Sequence, residues 1–293
     1  MSRTLPRAAA VSIAAVPLAL GAFVLFSLQD AGVKSLLGAG PIWQLLMIRA
    51  AVVLVIALAV GRTKLLLDLV HSRNKKQLLA RAMIMLVAWL CFYQAAHELP
   101  LAQLTTLYFV SPFLVTLASG PLLGERPTRL QWIAVVLGFT GVAIAAGVQD
   151  FVFSPAVGLA LIAAAFWATA LLMLRRMGPD ESSLVQIASS NGVFLMATLS
   201  GLAFHPFEPA FGEVRWMAMV ALAGGMAQFL LYEAATRAPA PLIATLEYTA
   251  ILCAFSFGWL FFAEVPGPNV FAGAALVVVS GLMVVAGTRF RRG

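Results

Sequence analysis

This sequence predicts an all-α integral membrane protein, with ten transmembrane helices forming two inverted five-helix repeats around a central cavity. Composition is the first reason. Hydrophobic residues make up 62% of the 293, charged ones 11%, and mean hydropathy is +0.96. A soluble domain is about half apolar and a quarter charged, so no core could hide this much apolar surface from water. Segmentation is the second reason, because the chain divides into ten apolar runs of the length a spanning helix needs, about 20 residues. The third is a repeat. Tyr93-Gln94-Ala95-Ala96 returns 139 residues later as Tyr232-Glu233-Ala234-Ala235. The register then holds without a gap through Pro100 on Pro239, Thr106 on Thr245, Glu125 on Glu264 and Pro127 on Pro266. Eight of thirty-five aligned positions are identical, whereas chance in so apolar a composition gives roughly three.

The first run, 8–37, follows Arg3 and Arg7 as a signal peptide would, but is too long for a signal-peptide core and reads as a retained first span. Pro17 inside it removes a backbone hydrogen bond and favours a kink. Asp30 lies near its outer end, and Arg49 lies about as far into the second run, 41–61. At about 1.5 Å per residue both are roughly 12 Å deep from one side. A structural ion pair between adjacent helices is therefore expected, with a direct part in substrate binding as the other use of these charges. In the third run, 77–97, Trp89 and Tyr93 stand four apart on one face. In the fourth, 101–123, Thr105, Tyr108 and Pro112 form a similar stripe, with Pro112 placed to kink it. The fifth, 129–148, carries Gly138 and Gly141, small residues that permit close helix contact.

The sixth run, 155–175, holds Phe166 and Trp167 at its centre. The seventh, 182–204, leads to the eighth, 214–236, where Gln228 and Tyr232 repeat the Trp89 and Tyr93 stripe and Glu233 lies near the inner end. The ninth, 240–262, brings in Glu247, and the tenth, 269–288, closes the chain with Gly273 and Gly281. Cys91 and Cys253 lie inside spans and read as packing residues. The repeats occupy 1–150 and 151–293.

Of nineteen Lys and Arg residues, sixteen fall at the termini or in even-numbered loops, Arg81 among them, against Lys34 and Arg215 in odd loops. This bias places both termini in the cytoplasm. Five helices per half is an odd number, so the second half enters from the opposite side. Four inward stripes of rings with hydroxyl and amide tips then describe a binding cavity, with Trp89, Tyr93, Tyr108, Phe166, Trp167, Gln228, Tyr232 and Glu247 as its candidate residues. Aromatic faces suit a planar solute and attract ammonium groups. Glu233 and Glu247 are candidates for proton coupling, since a carboxylate in low dielectric can load and release a proton as access alternates. Their repeat partners Gln94 and Tyr108 are not carboxylates.

The Thr106-Leu107-Tyr108-Phe109-Val110-Ser111-Pro112 passage, running on to Gly124-Glu125-Arg126-Pro127 and Gly138-Phe139-Thr140-Gly141, resembles the EamA-type drug/metabolite transporters, as does Arg49 in the second span. In the second half Ala263-Glu264-Val265-Pro266 is the weaker counterpart, with Ile251 in place of Pro112, so a proline kink does not carry over to the ninth span. The resemblance implies a multi-pass bacterial inner-membrane exporter of small metabolites, and the ring-lined cavity is most similar to the aromatic amino acid exporters. It implies a small-molecule substrate, while composition calls for a lipid bilayer around the chain. The basic residues sit in short segments without a basic face, so no nucleic acid is expected, nor a cofactor or metal, and the sequence leaves the oligomeric state open, a monomer included. An intramembrane enzyme is disfavoured, because there is no Gly-x-Ser-x-Gly elbow or pair of spanning Asp residues, and His97-Glu98-Leu99-Pro100 has Leu101 where a zinc motif needs a second His.

Overall fold

The computed structural model describes residues 14–36, 42–123, 129–145, 154–177, 181–200, 211–238, 243, 246–247 and 249–289. Among these residues every regular element is an α-helix: α1 (Ala15–Leu36), α2 (Ile42–His71), α3 (Lys75–Ala96), α4 (Leu101–Tyr108), α5 (Val110–Leu123), α6 (Arg129–Ala145), α7 (Pro155–Met177), α8 (Ser183–Leu199), α9 (Phe211–Arg237), α10 (Thr249–Phe262) and α11 (Pro268–Arg289). Five of them, within α1, α2, α3, α7 and α9, are long and apolar enough to cross a membrane. The Glu125-Arg126-Pro127 passage, Pro239, Thr245 and the boundary between the halves lie outside the described residues.

Helix starts follow the local chemistry. Pro155 and Pro268 open α7 and α11, where a missing N–H costs nothing. Ser154 and Ser182 accept hydrogen bonds from the backbone of Val157 and Val185 at the starts of α7 and α8. Arg62, with φ of 50°, breaks α2 one residue past 61, where the second run was expected to finish. The fourth span is two helices. Pro112 has no N–H for the carbonyl four residues back, that of Tyr108, and α4 stops at Tyr108 with Phe109 outside helical geometry. Glu247, the repeat partner of Tyr108, stands in a turn before α10, its N–H bonded to the Ile243 carbonyl. The ninth span is therefore interrupted at the matching position without a proline, by a turn rather than by the proline kink that was not expected to carry over.

The helices pack in pairs drawn from different halves: α1 with α9, α3 with α7, α2 with α8, and α6 with α11. The α6–α11 pair is close enough that a Cβ on Gly141 would stand 2.7 Å from the Gly273 carbonyl oxygen. Large apolar side chains also point outward, with Val136, Leu252, Trp259 and Leu260 each more than 60% exposed. An apolar exterior of that extent is what lipid, rather than water, solvates. Opposite ends of the bundle are tied by polar contacts. At the end where α1 finishes, Lys34 pairs with Glu264 at 2.5 Å and donates to the Leu99 carbonyl. At the other end Glu181 accepts from Ser72 and Asn74.

Candidate functional site

A pocket opens between α1, α3, α4, α7 and the turn into α10. Its rings come from Phe23 and Phe26 of α1, Trp89, Phe92 and Tyr93 of α3, Tyr108 at the end of α4, Phe109 at the break, and Trp167 of α7. The polar groups are Ser27, Gln29, Asp30, Thr105 and Glu247. The rings brace one another edge to face: Trp89 on Tyr93 at 5.5 Å between centroids, Phe92 on Tyr108 at 5.2 Å, and Phe26 on Trp167 at 6.2 Å. Such contacts hold aromatic walls rigid while leaving faces free. The break in the fourth span matters here, because it sets Tyr108 and Phe109 on the pocket wall at a point where the backbone turns.

Behind this wall runs a buried polar chain. Gln29 donates to the Tyr93 hydroxyl at 3.1 Å and, more weakly, to Asp30 at 3.4 Å. Arg49, 1% exposed, donates through Nε to Gln29 at 3.1 Å and through Nη1 to Asn191 at 3.3 Å. Its guanidinium stacks 3.5 Å from the centre of the Trp89 ring. Asn191 donates onward to Gln228, Gln228 to the Tyr232 hydroxyl at 2.9 Å, and Arg81 to that same hydroxyl, to Ser190 and to the Ala170 carbonyl. Each residue from Gln29 to Arg81 is hydrogen-bonded to the next, which is the condition under which buried polar groups are tolerated, and one Arg49 nitrogen, Nη2, is left without a partner among the described residues. Gly224 makes room for the polar chain, since any side chain there would occupy the place of the Gln29 carbonyl oxygen.

The residues singled out from the sequence divide accordingly. Trp89, Tyr93, Tyr108, Trp167 and Glu247 line the pocket. Gln228 and Tyr232 belong to the chain behind it, and Phe166 packs on the hydrophobic core. Glu233 forms an ion pair with Arg237 on its own helix, away from the pocket. Pro17 is exposed on α1, where the helix continues without a break. Asp30 does not pair directly with Arg49, because Gln29 stands between them and takes the guanidinium, leaving Asp30 as a pocket residue. Arg81 is not a loop charge but a buried member of the polar chain. Gln29 and Asn191 gave no signal beyond being amides in apolar helices, and the Lys34–Glu264 tie spans 230 residues.

Residues 13–147 and 154–286 each match the EamA-like transporter family. Over 271 residues the chain is 27% identical to the pseudopaline exporter of Pseudomonas aeruginosa, covering 90% of this chain and 93% of that one. It is 26% identical to a riboflavin transporter of Vibrio cholerae, over 68% of this chain and 66% of that one. It is 27% identical to Protein RarD of Streptomyces exfoliatus, over 85% and 78%. A solved crystal structure superposes with a TM-score of 0.70 at 19% identity, covering 94% of this chain and 98% of the other, a likeness of fold.

Proposed function

The chain belongs to the EamA-like transporter family, and from that premise we propose that it is a secondary transporter exporting a small metabolite across the bacterial inner membrane by alternating access. It is a carrier rather than an enzyme. The two halves, 1–150 and 151–293, are inverted five-helix units with both termini in the cytoplasm. Helix pairing supports two equivalent halves: exchanging each span for its counterpart in the other half turns the α1–α9 contact into the α7–α3 contact, and returns α2–α8 and α6–α11 to themselves. Rocking of two such units about a shared site exposes it to each side in turn.

The observation that carries the reading is the ring-lined pocket set against the interrupted fourth and ninth spans, one from each half. Interrupted helices are tolerated at membrane depth where they border a cavity, and they supply points about which segments turn. The substrate is an amphipathic solute with a planar or apolar part, and aromatic or large neutral amino acids are the first candidates. Relatives named for pseudopaline export and riboflavin transport support carriage of small metabolites in general. Of the two carboxylates considered for proton coupling, Glu247 lines the pocket and is the one assigned that role.

Counterflow into liposomes containing the purified protein tests the assignment across a metabolite panel, and the amino acid reading falls if no aromatic or large neutral amino acid moves. With an imposed pH gradient, Glu247→Gln should lose gradient dependence while still binding substrate. Transport by the wild type that ignores the gradient removes the proton role.

A further inference from the structure

We propose that the pocket selects for a cationic nitrogen, with the carboxylates of Asp30 and Glu247 recognising a protonated amine on the carried molecule. This rests on reading the pocket as the transport site. Both carboxylates line it, one from α1 and one from the turn into α10, and Tyr108 lies close enough to both to feel their charge. Among the described residues neither forms an ion pair. Among the described residues, Asp30 accepts only the long 3.4 Å contact from Gln29. Glu247, 6% exposed, has the indole N–H of Trp167 as its polar neighbour. A carboxylate buried to that degree is costly unless a counter-charge or proton satisfies it.

The chain's own cations do not fill the role. Arg49 lies behind Trp89, its guanidinium against that ring and its N–H groups on Gln29 and Asn191, and it is not part of the pocket lining. Lys34 is committed to Glu264 and the Leu99 carbonyl, and Arg81 to Tyr232. Among the described residues the lining thus presents two acids and no base. Its remaining surface is largely aromatic, and ring faces attract ammonium groups as the carboxylates do. A solute carrying an isolated carboxylate would meet like charge on the same walls, whereas one pairing an ammonium with an aromatic body finds a partner for each part.

Three probes that share one ring decide the matter: phenethylamine, phenylalanine and phenylacetate, titrated against the full-length protein in detergent by calorimetry. The two ammonium compounds should bind at least about tenfold more tightly than phenylacetate, and Asp30→Asn with Glu247→Gln should bring the three within about threefold. Equal binding of phenylacetate and phenethylamine by the wild type overturns the proposal, as does failure of both ammonium compounds to bind, or a double variant that keeps the discrimination. Should the double variant aggregate, the wild-type series still decides. Counterflow separates the two readings. Discrimination in binding with no solute moved in liposomes would sink the transporter assignment and leave the pocket chemistry standing, and transport of a metabolite without discrimination would do the reverse.

Discussion

Arg49 shows what single residues do here. A guanidinium buried to 1% exposure survives because one plane lies on Trp89 and two N–H groups reach Gln29 and Asn191. Lysine has the charge without the plane or the fork, so Arg49→Lys should cost about 1–3 kcal/mol. A thermal unfolding midpoint in detergent unchanged from wild type would contradict this. Gly224→Ala should act on the same network from the other side, lowering the midpoint by a comparable amount, because the added methyl group collides with the Gln29 amide and moving that amide breaks its bonds to Arg49 and Tyr93. Legibility at this scale followed side-chain size. Trp89, Tyr93, Tyr108 and Trp167 stood out as aromatic residues deep in their spans, and all four line the pocket. The equal depth of Asp30 and Arg49 was legible too, but depth says nothing about rotation around the helix axis, and rotation is what gave the guanidinium to Gln29. Arg81 was misassigned for a related reason. One helical turn from a span end, a charge can snorkel outward or turn inward, and the inward partners Tyr232 and Ser190 come from distant helices.

Among the helices, the interruptions are the informative feature. Pro112 made the first one readable, since a missing donor leaves the Tyr108 carbonyl without its helical partner. The second had no such marker, because Ile251 stands where the proline would be, and only the turn at Glu247 reveals it. Pro112→Ala restores the donor and should favour a continuous fourth span. The expected outcome is transport several-fold slower with binding changed little, and an unaltered turnover would show that the break has no part in the motion. The Lys34–Glu264 tie is the complementary device. It joins α1 to the loop between α10 and α11, and Glu264 also accepts the Leu101 N–H at the start of α4. Ala263, with φ of 51°, holds the loop in a conformation that a residue with a side chain adopts at some cost. Glu264→Gln keeps the backbone contact and removes the ion pair, so a cysteine at Thr105 should react several-fold faster with a membrane-impermeant thiol reagent applied at that end. No change in labelling would mean that the pair does not keep that end closed.

The molecule as a whole is legible from two facts in the sequence, apolar runs of spanning length and a 139-residue repeat, because the bilayer allows little other than helices to cross it. What these leave open is which helices touch across the halves, since lipid-facing and helix-facing apolar residues have the same composition. The structure pairs α6 with α11 through facing glycines, and a leucine at Gly141 or Gly273 should force them apart and destabilise the fold. The proposed inversion makes a stronger prediction. If five spans separate equivalent positions, Glu98, which follows α3, and Arg237, which ends α9, lie near opposite membrane faces although 139 residues apart and aligned in the repeat. Single cysteines replacing Glu98 and Arg237, labelled in intact cells with an impermeant reagent, should therefore give opposite results, the first reactive and the second protected until the membrane is opened. A cysteine at Arg73, between α2 and α3, should behave like the one at Arg237. Labelling of positions 98 and 237 from the same side would mean that the halves are parallel, and alternating access by exchange of inverted units would then have no structural basis.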